Sequence, residues 1–198
     1  MAADKTTPGS TNSAKPAART KSGGRAVSQL EAQQKAMMAK MVAASFGEVV
    51  TLMMRTPRYR KMPIESLEAT AAAPVALGQV AIAEAQSKET GAVMPVAAVL
   101  WAKVSPEVDR RLSDTENETN ALAVNEWRSG NIPWIIEAIG ERKALGRLLH
   151  QLVTTVFKST PPKMRTTGQD GKPTVGRLER VDPQTSKPPS GNSASAKG

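Results

Sequence analysis

The run from Val93 to Trp101, VMPVAAVLW, is almost continuously apolar. A strand with one face in water alternates apolar and polar residues, whereas a strand covered on both faces does not. The run therefore predicts a central strand with other elements packed on each side. Leu77 to Glu84 alternates Val80 and Ile82 against smaller residues and predicts a second strand, joined to the first through the turn Ser87-Lys-Glu-Thr-Gly91. Ile132 to Ile139 predicts a third. Met164 to Leu178, with Gly168, Gly171 and Pro173, predicts a closing hairpin.

Helical periodicity fills much of the rest. Ser28-Gln-Leu-Glu31 reads as a capping box, followed at helical spacing by Leu30, Met37, Met38, Met41, Val42, Val49, Leu52 and Met53. This helix ends before Pro57, with a break expected near Gly47. Its methionine stripe reads as core-facing; a deformable binding surface is the other reading. Pro63 to Thr70 predicts a short helix, with a loop through Pro74. Ser105 caps a helix over Pro106 to Leu112, with Pro at the first helical position. Glu141 to Phe157 is amphipathic, with Ala144, Leu145, Leu148, Leu149, Leu152, Val153 and Val156 on the apolar side. The order of elements predicts an α+β domain, an antiparallel or mixed sheet flanked by helices.

The net charge of +9 suggests a nucleic-acid binder until it is located. Residues 1–28 carry Lys5, Lys15, Arg19, Lys21 and Arg25 against Asp4, and residues 158–198 carry eight basic residues against Asp170, Glu179 and Asp182. The segment between them, 29–157, is neutral and holds all six aromatic residues. A nucleic-acid domain would place its charge on a folded face with interleaved aromatics, so nucleic acid is not the expected partner. We expect a disordered basic tail over 1–28, a domain over 29–180 and a disordered tail over 181–198, because such polar segments cannot bury enough surface to offset ordering entropy. Weak contact of the tails with acidic partners is the alternative. The chain has no cysteine, which suits a reducing cytoplasm and excludes disulfides and thiol chemistry. No apolar run is expected to reach the ~18 residues of a membrane span.

Independent catalytic signatures are few. There is no P-loop, dinucleotide-binding glycine pattern, metal-ligand spacing or nucleophile elbow. The single histidine, His150, sits in LLHQL on the last helix and reads as structural. The informative pieces are FGEVVTLMMRTPRYR (Phe46 to Arg60), PVAAVLWAKVS (Pro95 to Ser105) and EWRSGNIPWIIEAIG (Glu126 to Gly140). In this order and at this spacing they resemble the toxin-activating lysine acyltransferases, over roughly residues 44 to 180. Those bacterial enzymes move a fatty acyl chain from acyl carrier protein to internal lysines of RTX protoxins.

The resemblance implies a fold similar to the GCN5-related N-acetyltransferases. It also implies a cytoplasmic protein with no bound cofactor, acyl-acyl carrier protein as donor, and an RTX-type protein as acceptor, with a homodimer among its expected assemblies. Thr56, Pro57, Arg58, Tyr59, Arg60, Pro63 and Ile64 match the family's first motif, in which Tyr59 stands where the family keeps its catalytic histidine. The family's catalytic aspartate aligns with Ala92, and Glu89 is the nearest carboxylate. Trp127, Ser129, Gly130 and Trp134 match the third motif and, with Trp101, are expected to shape the sheet and the acyl cleft.

A phenol with a pKa near ~10 is a poor base at neutral pH but a competent acid. The resemblance therefore implies direct transfer with Tyr59 as the acid, Thr56 beside it, and Glu89 or water as the base. Loss of both family residues leaves a second reading, an inactive relative that holds the same partner. Arg55, Arg58, Arg60 and Lys61 form a basic cluster suited to an acidic carrier, with Arg142, Lys143 and Arg147 as a possible extension; a solvated charge run is the alternative.

Overall fold

The computed structural model describes residues 21–116, 121–168 and 171–178. Helix α1 spans Lys21–Arg55. It passes through Gly47 unbroken and begins upstream of Ser28, so Ser28 lies inside the helix rather than capping it. Residues 21–28, expected in a tail, are helical; residues 1–20 and 181–198 of the expected tails, and 179–180 of the expected domain, lie outside the described residues.

The chain divides into two compact units, Met1–Lys40 and Met41–Gly198. The described part of the first is the leading stretch of α1, on which Leu30, Met37 and Met38 are exposed. The core-facing reading of the stripe therefore fails there and also at Met41 and Val42, and holds at Val49, Leu52 and Met53 in the second unit. Between Ser28 and Arg55, α1 is long and apolar enough to cross a membrane by length and composition, with a mean hydropathy of 1.4. This corrects the expectation of no such run. A core helix passes the same test, and Val49, Leu52 and Met53 fill a core.

The second unit is built on a five-stranded sheet in the order β1-β2-β3-β4-β5. The strands are β1 (Val80–Gln86), β2 (Val93–Val104), β3 (Ile132–Gly140), β4 (Lys163–Thr167) and β5 (Pro173–Arg177). β1, β2 and β3 pair antiparallel, β3 and β4 parallel, and β4 and β5 antiparallel. The parallel step requires a crossover, which helix α4 (Arg142–Thr155) supplies. The fold is α+β with a mixed sheet flanked by helices.

Local chemistry explains most boundaries. The Ser105 hydroxyl accepts the Val108 amide at the start of α3 (Pro106–Ser113). Pro74 does not sit in a loop. Glu68–Ala72 winds as a π-helix that runs into α2 (Ala73–Ala76), where Pro74 occupies the first turn and needs no amide partner.

β2 is buried on both faces, as its composition predicts. Ala98, Leu100, Ala102 and Val104 point toward α1, α2 and α3, in a core that includes Val49, Leu52, Trp127, Trp134, Ile136 and Ile139. Val99 and Trp101 point the other way, toward Leu148 and Leu152 of α4 and toward Phe157 and Ile135.

Candidate active site

The end of α1 is fixed by its own sequence. The Thr56 hydroxyl donates to the Leu52 carbonyl at 3.0 Å, and Pro57 starts a 3-10 turn over Pro57–Tyr59. The amide of Tyr59 bonds back to Thr56 and that of Met62 to Tyr59, each at 3.0 Å. These successive turns lay the half-buried Tyr59 ring against the α1-side core.

Tyr59 meets a residue that the sequence reading did not single out. Its hydroxyl donates to Oε2 of Glu137 on β3, while Arg58 Nη2 lies 3.0 Å from Oε1 of the same carboxylate. The Arg58 guanidinium also sits 5.2 Å from the centre of the Tyr59 ring. Glu137 is only 7% exposed. A buried carboxylate costs free energy unless it is paired and hydrogen-bonded, and Glu137 has one partner of each kind.

A β-bulge puts Glu137 there. Trp101 pairs with Ile135 but Leu100 pairs with Glu137, so Ile136 is an extra residue in β3. Strict alternation from Trp134 would turn Glu137 toward α4. The bulge turns it, and Ile139 after it, to the side of Trp134 and Ile136. Two residues in a row thus face one cavity of about 580 Å³ lined by Arg58, Tyr59, Met62, Trp127, Ile136 and Glu137, with Ser66, Ala69 and Thr70 at its side.

Burial raises the Glu137 pKa, opposed by the hydrogen bond from Tyr59 and the charge of Arg58. Tyr59 is pushed up by burial and by the charge and hydrogen bond of Glu137, against a smaller lowering by Arg58. Both groups of the pair are thus raised, and both line the cavity.

The structure separates the other expected residues. Glu89 lies exposed in the turn between β1 and β2 and does not line the Tyr59 cavity; the carboxylate brought to Tyr59 is Glu137. Thr56 caps α1 through its hydroxyl. Arg55 donates to the Pro95 carbonyl at 3.2 Å, Arg60 donates to the Met54 carbonyl at 3.4 Å, and Lys61 is exposed. Trp101 packs edge-on against Phe157, with ring centres 5.9 Å apart, on the α4 side of the sheet, so it does not shape the Tyr59 cleft.

Of the third motif, only Trp127 lines the cavity, and its indole donates to the Ala69 carbonyl in the π-helical turn at 2.8 Å. Trp134 donates to Asp109 at 2.7 Å, and Lys163 binds the same carboxylate. The Ser129 hydroxyl accepts from the Ser105 amide and donates to the Glu126 carbonyl. A side chain at Gly130 would collide with the Val104 carbonyl and the backbone of Ser105, which explains the glycine. Ser129 and Gly130 thus lock the end of β2 to the start of β3. Ser129 lines a separate cavity of about 860 Å³ beside α3.

The sequence did contain a signal for Glu137. It is the lone charge inside IPWIIEAIG, and a charge within a strand buried on both faces is rarely tolerated without a partner.

A family model for RTX toxin acyltransferases matches residues 38–181, most of the chain and all of the sheet. The chain belongs to the RTX toxin acyltransferase family. Nothing matches among curated proteins. Membership makes this a toxin-activating acyltransferase by family, with an RTX toxin as the general class of substrate. Within the matched stretch lie Tyr59, Glu137 and the whole third motif, so the cavity belongs to the part of the chain that the acyltransferase family shares.

Proposed function

We propose that this chain transfers a fatty acyl group from acyl carrier protein to internal lysines of an RTX-type protein, using Tyr59 and Glu137 as its reacting pair. The observation that carries this reading is the hydrogen bond from the Tyr59 hydroxyl to the buried Glu137 carboxylate within an open cavity. The mixed sheet with helices on both faces is compatible with a GCN5-related acyltransferase arrangement, which is the fold we assign. Arg55, Arg58, Arg60 and Lys61 would meet the acidic carrier.

The chemistry balances on these residues. A lysine ammonium must lose two protons to become an amide nitrogen. Glu137, raised in pKa by burial, is a better base than an ordinary carboxylate. It takes the first proton, and the freed amine attacks the thioester carbonyl to form the C–N bond. As the C–S bond breaks, the Tyr59 hydroxyl protonates the departing thiolate and recovers its proton from Glu137. The second nitrogen proton leaves to solvent. Arg58 steadies the carboxylate between these steps.

The test is intact-mass analysis of an RTX acceptor after incubation with the chain and acyl-loaded carrier. Tyr59→Phe and Glu137→Gln should each slow the fatty-acyl mass gain by about 10²- to 10⁴-fold, the usual range for acid–base groups. Parent-like rates in both variants would remove the pair from the mechanism. A parent chain that binds both proteins but yields no mass gain would instead establish the inactive holding role.

A further inference from the structure

Beside the charged residues near Tyr59 lies an apolar patch that the catalytic reading leaves unused. Met54, Val93 and Met94 are 63%, 58% and 44% exposed. They are not scattered. Arg55, next to Met54 in the chain, places Nη2 3.9 Å from the Met94 sulfur and Nη1 3.2 Å from the Pro95 carbonyl. Arg60 folds back so that Nε reaches the Met54 carbonyl. The last turn of α1 therefore meets the start of β2, and Thr56 leads directly from this surface into the turn that carries Tyr59.

Arg55, Arg60 and Lys61 are exposed, and among the described residues none of them forms an ion pair. Deformable methionines and arginines are over-represented at protein interfaces, and charged residues gather at the rim.

We propose that this surface, with Met54 and Met94 at its centre and Arg55, Arg60 and Lys61 at its margin, is where the protein carrying the acyl thioester docks. The inference rests on the acyl-transfer reading above and adds the apolar contact to it. Charge decides which substrate sits here. The margin attracts an acidic surface, whereas an acceptor segment presenting lysines would meet like charge. An apolar centre also provides attachment that salt does not screen, which a ring of arginines alone cannot.

Fluorescence anisotropy of palmitoyl-loaded acyl carrier protein, titrated with the full chain, tests the surface. Met54→Glu and Met94→Glu should each weaken carrier binding about tenfold or more, as expected for residues at the centre of an interface. Met54→Leu should bind like the parent. Thermal melts at the parent midpoint would show that the variants are folded. Steady-state kinetics should show the KM for the loaded carrier rising while the KM for the acceptor stays fixed. Parent-like carrier binding in both glutamate variants, with Arg60→Glu and Lys61→Glu weakening it, would overturn the apolar centre and leave the donor reading standing. A rise only in the acceptor KM would assign the surface to the other substrate and overturn the proposal. Carrier binding that survives all four variants would remove the whole surface from the donor's path.

Discussion

The two faces of the sheet are built from the same strands and solve different problems. On the α4 side, Val99, Trp101, Ile135, Leu148, Leu152 and Phe157 make an apolar layer whose only aromatic pair is an edge-on contact. On the α1 side the core is larger but threaded with polar groups: Glu137 held by Tyr59 and Arg58, Trp127 on the Ala69 carbonyl, Trp134 on Asp109, and Gln79 donating to the Trp127 carbonyl at 3.1 Å. A cavity with titratable groups needs walls that stay in place. The simple layer is closed and apolar, and the networked layer holds the cavity beside Tyr59 and Glu137. Trp101 and Trp127 both belong to motifs that resemble the family's, yet they serve opposite faces.

The largest expected effect tests that division on the α4 side. Trp101→Ala should cost about 3–5 kcal/mol of stability, the usual range for emptying a buried aromatic site, read from the urea midpoint. Acyl transfer per folded molecule should stay near the parent rate. A selective rise in KM at unchanged stability would instead return Trp101 to the acyl cleft.

A smaller effect comes from Glu137. Its folded-state pKa is raised, so the folded chain holds the proton more tightly than the unfolded one. Stability should therefore be greatest at acid pH and fall as pH rises from the ordinary glutamate value of about 4.3 through the raised one. The loss is about 1.4 kcal/mol for each unit of elevation. Glu137→Gln should flatten that fall when urea midpoints are compared across pH. An unchanged slope would show that the carboxylate is solvated. Glu126 works in the opposite sense at lower pH: burial pushes it up, but the Ala123 amide and Arg111 outweigh this and hold it low. The informative comparison is therefore variant against parent.

The smallest effect concerns the clamp between β2 and β3. Ser129→Ala removes one acceptor and one donor at an exposed turn and should cost about 1 kcal/mol. Differential scanning calorimetry would register it as a small drop in Tm. No change would leave the close approach at Gly130 as the feature holding the strands together.

These contrasts mark what could be read from the sequence. Apolar runs and turn residues locate β2, β3, the closing hairpin and α4 within a few residues, because burial and turn geometry are local in the chain. The face on which a residue lies is not local. Trp101 sits in a run apolar on both sides, so nothing nearby assigns it to α4 rather than to the cleft. Glu137 depends on one unpaired residue, Ile136, whose presence is decided by how β3 pairs with β2. Glu89 is the nearest carboxylate in sequence to the aligned position at Ala92, but it remains on an exposed turn. Met37 and Met38 have the spacing of a buried stripe, yet helical spacing alone does not supply a partner for it.

The bulge at Ile136 also acts as a check on folding. Suppose β3 paired with β2 in even alternation. Glu137 would then enter the apolar layer of Trp101, Leu148 and Phe157, on the opposite side of the sheet from Tyr59 and Arg58. Stranding a charge in such surroundings is among the most costly errors a chain can make. The wrong pairing is thus disfavoured by the same side chain that the right one sets against Tyr59 and Arg58. A chain that mispairs this strand should fail to fold rather than persist as a well-packed but inert protein.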